Sequence, residues 1–268
     1  MALHTHTLEL VARTDAHEGL VYAADERALY FTSLPRDDRA AIRRLDVASG
    51  RVETVVADAN RANGMTMDHR GRLIVCEQGG FDTPARLTRL NRATGRRETL
   101  VEEFHGRPLS SPNDVVVTRD GAIWFTDPSY GHLQGFRPPP QLADAIYRLA
   151  DGVVERMSSA FDKPNGLAFS PDERTLYVTD SGTGEVIAID AGGRRRFAAT
   201  DLPDGIKTDA AGRVYVSSST GVQVFDSDGR PVGEIPVPGA VNFAWGEPNP
   251  LYITTDTAVW AAELGDWT

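Results

Sequence analysis

The sequence predicts an all-β fold, a six-bladed β-propeller with four antiparallel strands in each blade, and two observations lead to it. First, one unit recurs six times along the 268 residues: an acid or amide, a short apolar strand, a turn containing Gly or Asp, and a second strand. Successive units start about 40–50 residues apart, which is the usual length of a propeller blade. Second, no helical period of 3.6 residues persists long enough to predict a substantial helix.

The six units share an oxygen-bearing side chain at their start, at Glu18, Asn63, Asn113, Asn165, Asp204 and Asn242. In the third unit, SSPNDVVVTRDGAIWFTDPSYG (110–131), two β-rich runs flank Asp120-Gly121 and predict a hairpin. The last unit ends with Ala258–Leu264, one strand short, whereas Thr5–Arg13 has strand character but no unit of its own. We therefore predict that Thr5–Arg13 completes the last blade, which leaves no exposed edge, and that residues 1–268 form one domain.

Composition and charge exclude several classes of function. The net charge of -10 argues against nucleic acid, which is bound through basic surfaces. The single Cys76 excludes an intrachain disulfide and lies in an apolar run, so we expect it to be buried. No run approaches the ~18 apolar residues of a membrane span, and the first residues lack the pattern of a secretory signal. We expect a cytoplasmic protein with a small-molecule substrate, no nucleic-acid or membrane partner, and a monomeric or weakly homo-oligomeric state.

The repeat itself points to a metal site. Superimposing the blades brings the six leading residues to one end of the central channel, where two carboxylates and four amides offer the oxygen ligands that Ca²⁺ prefers. The alternative interpretation is turn chemistry, because Asn-Gly and Asp-Gly are common turn dipeptides and four of the six leading residues precede Gly. Turn chemistry requires neither the carboxylate of Glu18 nor the Phe after Asn242, so the pattern favours the metal site.

Several motifs in combination carry a resemblance that covers nearly the whole chain: HEGLVY, NGMTMDHRGRLIVCEQ, SSPNDVVV with GAIWFTDPSYG, KPNGLAFSPDERTLYVTD and LPDGIKTDAAGRVYV. The chain resembles the family that includes gluconolactonase, senescence marker protein (regucalcin) and luciferin-regenerating enzyme, in its bacterial gluconolactonase form. The resemblance implies a six-bladed propeller with one divalent cation on its axis. Ca²⁺ is the expected ion, with Zn²⁺, Mn²⁺ and Mg²⁺ as alternatives. The implied ligands are Glu18, Asn165 and Asp204, with Asn113 as a closer or more distant fourth.

The resemblance also implies a reaction, metal-dependent hydrolysis of a sugar lactone or related small lactone. In the implied mechanism the cation polarises the lactone carbonyl and an adjacent water attacks it. Asp204 is the candidate general base. In the animal branch an Arg two positions before the axial Asn contacts substrate, and this chain has Ser111 there, so the animal sugar-lactone preference is not expected to carry over.

The remaining candidates for substrate binding are Asn63, Asn113, Asn242, Ser111, Asp127, Tyr130 and His132. Tyr130 and His132 lie on a Gly- and Pro-rich insertion, residues 128–144, which could cover the site. Asp127 ends a strand as Glu77 and Asp180 do, so these three are also expected to support the site through hydrogen bonds. Strand alternation predicts that His17, next to Glu18, turns away from the axis.

Two alternatives remain open at this point. One is a related propeller hydrolase or biosynthetic enzyme that acts on another ester or an organophosphate. The other is a non-catalytic propeller that binds a metal or a protein partner. The sequence contains no His-Glu-x-x-His, Gly-x-Ser-x-Gly or paired Cys-x-x-Cys motif, and nothing in it indicates a nucleotide cofactor.

Overall fold

The computed structural model describes residues 5–36 and 39–264, and it arranges them in six four-stranded antiparallel sheets. Each sheet is a blade, and the blades follow one another along the chain in a ring around a central axis. The prediction of a six-bladed propeller is therefore confirmed.

The strands of the first three blades follow the repeat. The chain begins with β1 (Thr5–Arg13). Blade 1 contains β2 (Val21–Ala23), β3 (Ala28–Thr32), β4 (Ile42–Asp46) and β5 (Val52–Val56). Blade 2 contains β6 (Ala62–Met67), β7 (Leu73–Glu77), β8 (Arg86–Leu90) and β9 (Arg97–Val101). After a small hairpin that the repeat did not predict, β10 (Glu103–Phe104) and β11 (Arg107–Pro108), blade 3 contains β12 (Val115–Val117), β13 (Ile123–Asp127), β14 (Ala145–Ala150) and β15 (Val153–Ser158).

The other three blades have the same order. Blade 4 contains β16 (Pro164–Phe169), β17 (Leu176–Asp180), β18 (Glu185–Asp190) and β19 (Gly193–Ala199). Blade 5 contains β20 (Ile206–Thr208), β21 (Val214–Ser217), β22 (Val222–Phe225) and β23 (Pro231–Ile235). Blade 6 contains β24 (Phe243–Trp245), β25 (Leu251–Thr255) and β26 (Ala258–Leu264). The insertion in blade 3 carries one short helix, α1 (Tyr130–Leu133).

The two ends of the chain close the ring. Strand β1 pairs antiparallel with β26, so the sheet order of blade 6 is β1-β26-β25-β24. A backbone hydrogen bond of 3.1 Å from Thr14 N to Thr257 O extends the pairing beyond the strand. The predicted closure by the N-terminal strand is confirmed, and it fixes blade 1 next to blade 6.

Apolar side chains fill the spaces between neighbouring blades. One core cluster joins Cys76 and Leu87 of blade 2 to Phe125 and Tyr147 of blade 3, all of them fully buried. Between blades 5 and 6, Tyr215 meets Trp245 edge to face, with ring centroids 5.0 Å apart. Burial of this kind contributes about 25 cal/mol per Å² of apolar surface, so the packing between blades supplies much of the driving force for folding.

A ring of buried hydroxyls joins the blades close to the axis. In five blades the second strand carries a Thr or Ser at one register position: Thr32, Thr126, Thr179, Ser217 and Thr254. Thr179 Oγ1, for example, donates to the carbonyl of Asp204 in the next blade at 2.7 Å, and Thr126 Oγ1 donates to the carbonyl of Asn165 at 2.7 Å. In blade 2 the register position holds the buried Cys76. The five hydroxyls thus bind the neighbouring blade at, or one residue before, its leading residue.

The glycines that follow the leading residues allow these strand starts to lie close together. A Cβ on Gly64 would lie 2.4 Å from the carbonyl oxygen of Asn113, and one on Gly166 would lie 2.4 Å from that of Asp204. Neither glycine has the positive φ that a hairpin turn would use. The turn interpretation is therefore wrong at these two positions, where Gly is needed because the neighbouring blade leaves no room for a side chain.

Within the described residues, no helix is long and apolar enough to cross a membrane.

Candidate functional site on the propeller axis

Five of the six leading residues line one cavity at the end of the central channel. The cavity has a volume of about 450 Å³, and its walls include Glu18, Asn63, Asn113, Asn165 and Asp204. Asn242 is buried behind this wall, where its amide nitrogen donates to Glu18 Oε2 at 2.7 Å. The repeat thus brings together the side chains that the sequence selects, because each stands at the start of an innermost strand.

Three oxygen atoms in this cavity are buried without a partner among the described residues. They are the side-chain oxygens Asn63 Oδ1, Asn113 Oδ1 and Asp204 Oδ1. A buried acceptor left unsatisfied costs about 1–3 kcal/mol, so three of them on residues that line one cavity are unfavourable unless a ligand contacts them. A cation suits these three oxygen atoms, because each of them can accept but none can donate a hydrogen bond.

The amide of Asn165 is held in a fixed orientation. Its Nδ2 donates to the Ser181 hydroxyl at 3.2 Å and to the Tyr130 hydroxyl at 3.4 Å. The Ser181 hydroxyl in turn donates to the carbonyl of Pro203 at 2.6 Å. Because these hydroxyls hold the nitrogen of the carboxamide, its oxygen is the atom left to coordinate a ligand.

The two carboxylates of the cavity repel each other. Burial raises the pKa of Asp204 well above its usual range, the charge of Glu18 raises it further, and a hydrogen bond from Asn165 opposes the shift. A divalent cation bound by Glu18 and Asp204 would offset this repulsion and favour the charged form of Asp204. The described residues contain no group of three or more His, Cys, Asp or Glu arranged to hold a metal. A cation here would therefore use two carboxylates and amide oxygens, a hard donor set that fits Ca²⁺.

His17 lies in the cavity wall, contrary to the expectation that strand alternation turns it away. The reason is that β2 begins only at Val21, so alternation does not apply at residue 17. The Nδ1 atom of His17 is 2.7 Å from Asp256 Oδ1. Burial lowers the pKa of His17, but the hydrogen bond to Asp256 and the charge of Glu18 outweigh it, and the pKa is raised overall.

Ser111 and Asp127 lie behind the wall, not in it. The carboxylate of Asp127 accepts from the backbone nitrogens of Ser110 at 2.9 Å and Ser111 at 2.8 Å. The Ser111 hydroxyl donates to the carbonyl of Pro128 at 2.6 Å and accepts from Gly131 N at 2.9 Å. Both residues are fully buried, and they shape the loop that delivers Asn113, as expected of a supporting Asp127. Neither residue is among those that line the cavity.

The other two strand-ending acids also support loops. Asp180 Oδ2 accepts from Asp162 N at 3.0 Å, and Glu77 Oε2 accepts from the Asn60 amide at 3.1 Å. Each contact fixes the segment just before a leading residue, Asn165 or Asn63. The carboxylates therefore position the site from behind.

The insertion of blade 3 forms one wall of the cavity. Tyr130 and Gln134 line it, whereas His132 is exposed and is not among the lining residues. Arg137 anchors the insertion, since its guanidinium donates to the carbonyls of Ser110 at 3.0 Å and Gly80 at 2.9 Å. Of the two predicted contacts in this segment, only Tyr130 reaches the cavity.

Sequence reasoning missed two groups of lining residues. Gln78 and Ser181 follow the second strands of blades 2 and 4, and Leu34-Pro35 and Leu202-Pro203 lie in neighbouring loops. All these segments are at the same end of the blades as the leading residues. Their position at the ends of predicted strands could therefore have identified them as lining residues. Asp114 was missed as well: it is buried beside Gly64, and burial raises its pKa to about 6.

Comparison with known proteins agrees with this architecture. The profile described as the SMP-30/Gluconolactonase/LRE-like region matches residues 16–257. A gluconolactonase from Zymomonas mobilis is 30% identical over 211 residues, which cover 70% of this chain and 58% of the relative's own length. The chain thus spans less than two thirds of that relative.

Two solved structures are similar over almost the whole chain. A gluconolactonase from Xanthomonas campestris is 38% identical with a TM-score of 0.86, covering 96% of this chain and 89% of that one. The calcium-binding protein regucalcin from Agrobacterium tumefaciens is 18% identical with a TM-score of 0.76, covering 94% and 91% of the two chains, and this likeness concerns the fold alone. From the profile match and the repeated axial residues together, the chain belongs to the SMP-30/gluconolactonase/LRE-like family.

Proposed function

We propose that this protein is a divalent-cation-dependent hydrolase that opens a lactone in the axial cavity. The observation that supports the proposal most directly is the set of unpartnered, buried oxygens of Asn63, Asn113 and Asp204 beside the carboxylate of Glu18. Relatives of this chain are named gluconolactonase in Zymomonas mobilis and in Xanthomonas campestris. A cavity of about 450 Å³ also suits a small ester.

The cation would be held by Glu18, Asp204 and the oxygens of Asn165 and Asn113. When bound, such an ion supplies a Lewis acid that polarises the lactone carbonyl. Ca²⁺ is the proposed ion because all the candidate donors are oxygens, and a calcium-binding protein, regucalcin, shares the fold. Zn²⁺, Mn²⁺ and Mg²⁺ are the ions to compare with it.

The chain's own residues would then bind the lactone and move one proton. Asp204 takes a proton from a water molecule as the water oxygen bonds to the carbonyl carbon. The ring C–O bond breaks, the proton is returned to the released alkoxide, and the product is a hydroxy acid. The amides of Asn63 and Asn113 orient the lactone, while Tyr130 and Gln134 bound it on the side of the insertion.

A panel of sugar lactones and aliphatic γ- and δ-lactones tests the proposal. Each lactone is assayed with untreated protein, with chelator-treated protein, and after Ca²⁺ is added back. We expect at least one lactone to be hydrolysed, hydrolysis to stop on chelation, and Ca²⁺ to restore it. Absence of hydrolysis across the panel, or full activity in the chelated protein, would overturn the proposal.

A further inference from the structure

Leu202 is an exposed apolar residue in the wall of the axial cavity. It lines the cavity, its exposed fraction is 66%, and its φ of 49° lies in the left-handed region. An exposed leucine side chain contributes little stability through the hydrophobic effect. Left-handed backbone also costs free energy at any residue that has a Cβ atom. Residues held in this way against local preference are concentrated at functional sites.

The left-handed turn occurs at the start of three blades, but the leucine is particular to this one. Arg61 and Lys163 stand two positions before Asn63 and Asn165, as Leu202 stands two before Asp204, and their φ values are 54° and 71°. The conformation is therefore shared by the segments that lead into blades 2, 4 and 5. The side chains of Arg61 and Lys163 have partners within the protein: the guanidinium of Arg61 lies 4.1 Å from the Phe136 ring centroid, and Lys163 Nζ is 2.8 Å from Asp144.

The cavity has a buried polar floor and an exposed mouth that is mostly apolar. The buried amides of Asn63, Asn113 and Asn165 belong to the floor. The exposed lining residues, which form the mouth, are Pro35, Gln134 and Leu202. A substrate with a polar ring and an apolar substituent matches this division, because the ring meets the amides and the substituent covers leucine.

The charges of the cavity favour a neutral substrate. No Arg or Lys is among the described residues that line it, and its ionisable groups are His17, Glu18, Tyr130 and Asp204. With a divalent cation on the two carboxylates the floor carries no net charge. A substituent that bears a carboxylate or phosphate would find no Arg or Lys among the described residues of this lining.

We propose that Leu202 is a specificity-determining residue that makes the cavity favour lactones with an apolar substituent over polyhydroxylated lactones. This inference rests on the proposed lactonase function and names the substrate class for it. The apolar substituent contacts Leu202 in the bound substrate as well as in the transition state. Loss of this contact therefore raises KM more than it lowers kcat.

Three probes and two variants test the inference with the Ca²⁺-loaded protein. The probes are δ-valerolactone, its pentyl-substituted analogue δ-decalactone, and glucono-1,5-lactone. Leu202→Asn exchanges the apolar side chain for a polar one that tolerates left-handed backbone, so the fold is retained. The matched control is Leu133→Asn, since Leu133 is 64% exposed on α1 and lies outside the cavity wall.

The expected result is a kcat/KM for δ-decalactone above those of the other two probes. Leu202→Asn should lower kcat/KM for δ-decalactone about tenfold, through KM, and leave δ-valerolactone unchanged. Leu133→Asn should change none of the values. A preference for glucono-1,5-lactone, or equal losses on all probes in Leu202→Asn, would overturn the inference while leaving the lactonase function standing. Absence of hydrolysis of all three would overturn both.

Discussion

The side-chain amide of Asn242 donates to Glu18 Oε2 at 2.7 Å, although 224 residues separate the two in sequence. The contact crosses the junction of blades 6 and 1, which the pairing of β1 with β26 closes. One carboxylate of the axial cavity is thus oriented by a residue that does not line it. A group that fixes a ligand from behind commonly contributes to affinity without touching the ion.

Asn242→Ala should weaken Ca²⁺ binding about 10–100-fold, because Glu18 loses the donor that orients it. Competition with a chromophoric chelator measures the affinity. Asn249→Ala is the matched control, since Asn249 is exposed near the other end of blade 6, and it should bind Ca²⁺ as the unaltered protein does. Equal affinity in the two variants would show that the contact with Glu18 plays no part in binding.

Asp204→Asn should lower kcat about 10²–10⁴-fold at saturating Ca²⁺ because the carboxylate that accepts the proton is lost. Removing one charged ligand also weakens the cation site, so turnover must be measured with the ion bound. Stopped-flow or steady-state hydrolysis, together with a Ca²⁺ titration of the same sample, separates the two effects. If the Ca²⁺-loaded variant keeps its turnover, another group is the base.

Gly166→Ala should destabilise the fold by several kcal/mol, since the new Cβ would lie 2.4 Å from the backbone oxygen of Asp204. Urea unfolding of the chelated protein measures the free energy of unfolding. In Gly80→Ala, the control, the nearest atom to the new Cβ is Thr83 Oγ1 at 3.4 Å and φ is not positive, so a change of less than about 1 kcal/mol is expected. A similar, small effect in both variants would contradict the close packing of blades 4 and 5.

Stability should fall as the pH rises through the range in which Asp127 is protonated only in the folded protein. Burial raises the pKa of Asp127 from 3.8 to about 7 against the opposing hydrogen bonds of Ser110 and Ser111. Between pH 4 and pH 7 the folded state binds one more proton than the unfolded state. The stabilisation from this proton is therefore complete below about pH 4 and is lost by about pH 7. The shift corresponds to about 4 kcal/mol.

The measurement is the free energy of unfolding of the chelated protein at several pH values from 4 to 8. In Asp127→Asn the slope across this window should be shallower by most of that amount, because Asn does not titrate. Parallel slopes for the two proteins would mean that Asp127 is charged in the folded state at all these pH values.

The fold could be predicted from the sequence because each blade of a propeller repeats the same residue pattern. Six copies of one strand pattern gave the number of blades, and the unpaired Thr5–Arg13 gave their closure. The same repeat placed Glu18, Asn63, Asn113, Asn165 and Asp204 in one cavity. Register within a blade is a local property, so it can be deduced from single strands.

The features of the site that could not be predicted from the sequence depend on contacts between loops of different blades. His17 and Leu202 reach the cavity from irregular segments, where strand alternation does not decide the direction of a side chain. Ser111 stands at the expected register, yet its hydroxyl is used by Pro128 and Gly131 of the insertion. The close packing that requires Gly166 also could not be predicted, because the residue it packs against, Asp204, lies 38 residues further along the chain.

Isothermal titration of the chelated protein with Ca²⁺ tests the central claim, a cation site on the axis, most directly. The unaltered protein should bind one ion, and Glu18→Gln, which keeps the shape of the side chain but removes its charge, should bind at least about tenfold more weakly. A protein that binds no Ca²⁺, or a Glu18→Gln variant with the affinity of the unaltered protein, would contradict the axial site.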